Sequence, residues 1–185
     1  MSIFQHTVYL THLYKLALAM VKKPRAIGGG PVLAFPYGFF DGAAANGIDG
    51  EGICLSLNES HSFEFALGAG SCTNTKAESI ALWDLLFISQ IMGIPTLNIF
   101  GDSAFIISWA KGTTSLIPPT LSQWCLDTKR LITHFHHLSF SHIFREHNQL
   151  ADRLSKSSLS LAPGCGHFSE FIDGLLASHD TFQLF

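Results

Sequence analysis

From Leu33 to Asp41 the chain is apolar and aromatic, and the run predicts a strand. Gly42 to Gly50 is small and glycine-rich, which predicts a turn. Gly52 to Leu57 predicts a second strand. After Glu59-Ser60, His61 to Leu67 alternates with Phe63 and Phe65 on one face and predicts a third. Short turns between the three point to an antiparallel meander. The period then lengthens. Ala77, Ile80, Ala81, Trp83, Leu85, Phe87, Ile88 and Ile91 predict a long, mostly buried helix over 75–92 that stops at Gly93. Thr96 to Gly101 is a strand ending at Asp102, and Ser103 to Ala110 is a short helix. Pro118-Pro119 opens a further helix running to about His136. Leu138 to Phe144 alternates as a fifth strand, and Asn148 caps a last helix that ends near Ser158. The order βββ-α-β-α-α-β-α predicts an α/β fold: a five-stranded mixed sheet flanked by helices, with its later strands parallel.

The ends of the chain read differently. Val8 to Val21 is apolar but broken by His12 and Lys15, too short and interrupted to span a bilayer. Residues 1–33 are expected to be a helix or linker ahead of a domain over 34–158, with Gly28-Gly29-Gly30-Pro31 as the joint. The tail, 159–185, has little regular pattern, although Phe168, Phe171, Ile172, Leu175 and Leu176 have the spacing of a small docking helix. No membrane association is expected, and a monomer is.

Composition narrows the function. Of 185 residues, 47% are hydrophobic, enough for a sizeable core, and only 14% are charged, against roughly 25% in an average globular chain. A disordered, charge-rich protein is excluded. The net charge of −3 argues against a purely electrostatic nucleic-acid binder. Residues 1–33 carry Lys15, Lys22, Lys23 and Arg25 and no acid, a start also compatible with an organelle transit peptide. Otherwise a nuclear or cytoplasmic location is expected. Residues 34–158 hold seven Lys/Arg against eleven Asp/Glu. Cys54, Cys72, Cys125 and Cys165 are widely spaced and read as reduced thiols. His134, His136, His137 and His142 lack cysteine partners and read as a solvated helix end, not a zinc site. Trp83, Trp109 and Trp124 fall in helical stripes and read as core.

Because charge is scarce, the core acids stand out. Asp41 ends the first strand, Glu78 lies in the first turn of the long helix, Asp102 follows the fourth strand, and Asp152 lies early in the last helix. In an open α/β sheet, ligands gather beyond the carboxyl ends of the strands. Converging carboxylates repel unless cations join them, and hard oxygen donors suit Mg²⁺ or Mn²⁺. Two divalent ions would balance four carboxylates and serve phosphoryl displacement. Each acid also has a local reading. Thr75-Lys76-Ala77-Glu78 matches a capping box, Asp41-Gly42 a turn pair, Asp102 a helix N-cap, and Asp152 a favourable charge near a helix N-terminus.

Four segments resemble the type 1 ribonuclease H domain, in the form carried by plant non-LTR retrotransposon proteins. They are Phe39-Phe40-Asp41-Gly42-Ala43, Lys76-Ala77-Glu78-Ser79-Ile80-Ala81-Leu82, Phe100-Gly101-Asp102-Ser103, and the run from Arg145 to Leu154, which is similar to the family's R-E-x-N-x-x-A-D. The resemblance covers roughly residues 34–158. It implies a ribonuclease H-like fold and hydrolysis of the RNA strand of RNA–DNA hybrids. Asp41, Glu78, Asp102 and Asp152 would then bind two Mg²⁺ ions, with Mn²⁺ as a substitute. It also implies a proton-transfer or product-release role for His147. Hybrids are read by shape and by 2′-hydroxyls, for which Asn46, Asn74 and Gln149 are candidate contacts. The loop Ala44-Ala45-Asn46-Gly47-Ile48-Asp49-Gly50 lacks the family's proline. A second reading of the same residues is therefore a catalytically degenerate nucleic-acid-binding or interaction module of retrotransposon origin.

Overall fold

The computed structural model describes residues 36–71, 73–114 and 122–183. The expected N-terminal helix or linker over 1–33 and the Pro118-Pro119 helix start lie outside these residues. Strands β1 (Tyr37–Ala45), β2 (Ile48–Asn58) and β3 (His61–Gly70) form the expected antiparallel meander. The glycine-rich stretch after Asp41 is mostly strand and not turn. The chain reverses at Asn46-Gly47, both in the left-handed region (φ 54° and 77°), the conformation of a type I′ hairpin turn. Helix α1 (Asn74–Ile91) follows, then β4 (Thr96–Gly101), α2 (Ala104–Ala110), α3 (Ser122–Ile132), β5 (His137–His142), a 3₁₀ turn (Arg145–His147) and α4 (Gln149–Ser158). Helix α3 stops short of the expected His136. β1 runs parallel to β4, and β4 parallel to β5.

The sheet has seven strands, not the expected five, in the order β5-β4-β1-β2-β3-β6-β7. The extra pair is the tail. β6 (Cys165–Ile172) and β7 (Leu175–Gln183) form a hairpin where a small helix was expected. Asp173 and Gly174, at φ 52° and 73°, supply its type I′ turn. β6 pairs antiparallel with β3 from His61↔Ile172 to Leu67↔Gly166. Phe168 stacks on Phe65 at 6.0 Å between ring centroids, and His61 Nε2 lies 3.0 Å from Glu170 Oε1. Pairing satisfies the backbone of β3 that would otherwise form an open edge.

Both faces of the sheet are covered. A Cβ on Gly42 would sit 2.2 Å from the Glu78 backbone nitrogen, so only glycine lets the start of α1 lie this close to β1. A Cβ on Gly52 would sit 2.1 Å from the Ala151 carbonyl oxygen. Gly52 pairs with Asp41, the neighbour of Gly42, and successive strand residues alternate in direction. Helices α1 and α4 therefore pack on opposite faces. On the α1 face, Phe40, Ile53, Leu55 and Phe65 meet Leu82, Leu85 and Leu86 in the main core. Each such side chain stabilises the fold by about 1.5–3 kcal/mol relative to exposure. On the α4 face a smaller cluster joins Cys54 and Ala66 to Ala151 and Leu154. Trp83, Trp109 and Trp124 are buried, as their helical spacing implied. No helix among the described residues is long and apolar enough to cross a membrane.

Candidate metal centre

Three elements bring carboxylates to one point. Asp41 projects from β1 on the α4 face, Glu78 from the second turn of α1, and Asp102 from the residue after β4. One oxygen from each lies within 4.8 Å of the others, and among the described residues this is the only group of three or more potential metal ligands. Asp41 and Glu78 are buried and Asp102 is partly so. The capping-box reading of Glu78 does not hold. The N-cap of α1 is Thr73, without a side-chain cap bond, and Glu78 lies beyond the first turn. Its carboxylate instead accepts the Gly42 N–H, and its Oε2 is buried without a hydrogen-bond partner among the described residues. Likewise, the N-cap of α2 is Ser103, not Asp102.

Electrostatics follow from the crowding. Burial, then the charges of Asp41 and Asp102, push the Glu78 carboxyl up to about 9. Burial also raises Asp41, to about 6, against a hydrogen bond from the Ser155 hydroxyl and with help from Asp102 and Asp152. Carboxylates held together at the cost of raised pKa values form a donor set that a hard divalent cation fits. Glu78 Oε2, buried without a hydrogen-bond partner among the described residues, is an oxygen such a cation would take.

Asp152 lies beside this group, close enough to raise Asp41, but its own oxygens are engaged. Arg145 donates from Nε (3.0 Å) and Nη2 to Oδ1, and Lys156 Nζ donates to Oδ2 at 2.7 Å. Burial works to raise its pKa, and the bonds from Lys156 and Arg145 outweigh that and hold it below the ordinary aspartate value.

Two further residues belong to the site. Asn148 was expected to cap α4. It occupies the N-cap position, but its side chain makes no cap bond. Nδ2 donates to the Phe40 carbonyl at 3.0 Å and to Asp102 Oδ1 at 3.2 Å, tying α4 to β1 and to the acid cluster. Ser155, one turn beyond Asp152 on α4, orients Asp41. Asn148 lies in the motif run from Arg145 to Leu154, whereas Ser155 falls just beyond it and carried no signal in the sequence. The remaining candidates lie farther out. His147 is exposed in the 3₁₀ turn, Asn74 and Gln149 are exposed first residues of α1 and α4, and Asn46 is the exposed first residue of the β1–β2 turn. His142, exposed at the end of β5, places Nε2 3.2 Å from the Asp102 carbonyl oxygen.

Residues 50–158 match the family model described as reverse transcriptase-like. The chain belongs to the reverse transcriptase-like family. Solved structures agree on a ribonuclease H-like fold for this domain. RNase H1 from the halophilic archaeon Halobacterium salinarum NRC-1 is 25% identical, with a TM-score of 0.63 over 70% of this chain and 100% of that one. The N-terminal RNase H domain of a Mycobacterium tuberculosis protein is 21% identical, with a TM-score of 0.62 over 70% of this chain and 94% of that one. LC11-RNase H1, solved in complex with an RNA/DNA hybrid, is 24% identical, with a TM-score of 0.60 over 67% of this chain and 96% of that one. No curated protein matches the chain. In this reverse transcriptase-like domain the three converging acids come from β1, α1 and the end of β4, the elements that carry the motifs of the sequence.

Proposed function

We propose that this domain hydrolyses the RNA strand of RNA–DNA hybrids, using two Mg²⁺ ions held by Asp41, Glu78, Asp102 and Asp152. The observation that carries the reading is the meeting of three carboxylates within 4.8 Å, just beyond the stretch where β1 pairs with β4. The likeness to archaeal RNase H1 supports the reaction class. The chemistry the ions would supply is activation of a water and charge neutralisation at the leaving oxygen.

The protein's own groups have separable tasks. Asp41, Glu78 and Asp102 bind, and Ser155 and Asn148 fix the orientation of Asp41 and Asp102. Asp152 completes the set by turning from Lys156 and Arg145. Arg145, exposed at the rim, then offers its planar fork to a phosphate. His147 is accessible for proton transfer at the same edge. Asn46, Asn74 and Gln149, exposed outside the centre, would touch sugar or base edges.

The deciding experiment incubates the full chain with an end-labelled RNA–DNA hybrid in Mg²⁺, beside its Asp102→Asn variant. Endonucleolytic cuts in the RNA strand are expected from the parent chain only, with a loss of at least about a hundredfold in the variant. Equal products from both would overturn the proposal. A second reading, a binding module without hydrolysis, draws on the engagement of both Asp152 oxygens by cations. It predicts hybrid retention on a filter with no cleavage.

A further inference from the structure

The β6–β7 hairpin lies wholly beyond residue 158, where the match to the reverse transcriptase-like family ends. It carries donor groups that the acid cluster does not use. His167 stands opposite Ala66 of β3, which packs against α4, so its ring is on the α4 face of the sheet. Ser169 is two residues on and shares that face, and His179 of β7 pairs with Ser169. The two imidazoles are therefore diagonal neighbours across the hairpin, with ring centroids 5.5 Å apart.

That spacing suits one shared ion. Zn–N bonds of about 2.0–2.1 Å at tetrahedral angles put two imidazole centroids about 5 Å apart. One ring is already oriented. Ser169 Oγ lies 2.9 Å from His179 Nδ1. With Nδ1–H donated to that hydroxyl, Nε2 keeps its lone pair, as in most metal-ligating histidines. Burial, then the charge of His179, hold the His167 imidazole below the ordinary histidine value. It is therefore neutral, with a lone pair to give, at neutral pH. Among the described residues no further His, Cys, Asp or Glu converges with the pair, so water completes the coordination. Imidazole donors suit Zn²⁺, Cu²⁺ or Ni²⁺, whereas Mg²⁺ prefers the carboxylates.

We propose that His167 and His179 together ligate one Zn²⁺ ion, a clip across β6 and β7 on the α4 face. The position gives the clip a task. β7 is an edge strand, joined to the sheet through β6 and largely exposed. An ion bound to both strands holds the outer one in place where apolar burial does little. The inference stands apart from the nucleic-acid reading, because neither histidine belongs to the acid cluster.

Zn²⁺ itself is the probe, added to the full chain in excess Mg²⁺ and followed through the ¹⁵N resonances of the histidine rings. One equivalent should shift the ring nitrogens of His167 and His179, and Mg²⁺ alone should leave them in place. In His167→Gln and in His179→Gln the surviving ring reports the affinity, which should fall at least about tenfold. Ser169→Ala, which frees the His179 ring, should cost about tenfold. Zinc should also slow hydrogen exchange of the β7 amides in the parent and not in His179→Gln. The proposal is overturned if zinc leaves both rings unmoved, moves only other histidines, or binds both Gln variants as it binds the parent. Shifted rings with unchanged β7 exchange overturn the clip. Should a variant fail to fold, the parent spectrum still decides.

Discussion

Arg145 donates two hydrogen bonds to a single oxygen of Asp152, while Lys156 takes the other. The fourth acid is thus balanced locally, whereas Asp41 and Glu78 are crowded by one another's charge and by that of Asp102. Replacing Arg145 by Gln removes one of the two forces that hold the Asp152 carboxyl low. Its carboxyl carbon should then titrate at higher pH by NMR. The depressed pKa contributes stability that is present at neutral pH and lost as acid passes the folded-state value, so Arg145→Gln should lose stability above that point only. Arg145 is 65% exposed, and the loss is expected to stay within about 1 kcal/mol.

The buried pair, Asp41 and Glu78, behaves in the opposite sense. Asp41 moves from 3.8 to about 6 and Glu78 from 4.5 to about 9. The folded chain keeps protons that the unfolded chain has released, so metal-free stability should fall as pH rises from about 4 to about 9. Thermal unfolding in chelator across that range measures it, and Glu78→Gln should flatten the upper part of the slope.

Binding of Mg²⁺ near neutral pH should release protons, chiefly from Glu78, which is protonated there. Calorimetry in buffers of different ionisation heat counts them. A cation at a hundred times its dissociation constant should add about 2.7 kcal/mol to stability, a gain that Glu78→Gln should largely forfeit.

Gly52→Ala tests the seat of α4. The new Cβ would meet the Ala151 carbonyl oxygen at 2.1 Å and the Ser155 nitrogen at 2.5 Å, backbone atoms that cannot yield without moving the helix. A cost of about 1–3 kcal/mol is expected in urea unfolding. Displacement of Ser155 and Asn148 should also lower activity more than stability.

Phe168→Ala tests the hairpin. Phe168 is 8% exposed and stacks on Phe65 in the core. Truncation should cost about 3–5 kcal/mol in the same assay, if β6 is integral to the sheet.

The hairpin is also where the sequence misled. Phe168, Phe171, Ile172, Leu175 and Leu176 fit a helical stripe, yet Asp173-Gly174 in their midst is a type I′ turn that no helix accepts. Strand alternation is weak there because β7 is largely exposed and has little apolar burial to record. Asn46-Gly47 carried the same turn signal, hidden by the small residues around it. By contrast, α1 was legible from its long, deeply buried apolar run, and β4 from its strict alternation. At the site, Asp41, Glu78 and Asp102 were readable from the motifs around them, although Asp41 lies mid-strand in β1 and Glu78 beyond the first turn of α1. Asn148 was not, because an asparagine before a helix has a local use, the cap, and its true partners Phe40 and Asp102 are 108 and 46 residues away.

Pairing of β3 with β6 joins His61 to Ile172 across most of the described chain. During synthesis, then, the meander, α1 and the acid cluster can assemble while the β3 flank, with Phe63 and Phe65, still awaits its partner. Full protection of that flank comes only once the ribosome has passed Ile172. The nascent domain should therefore have a window in which its active end is formed and its opposite flank is prone to association.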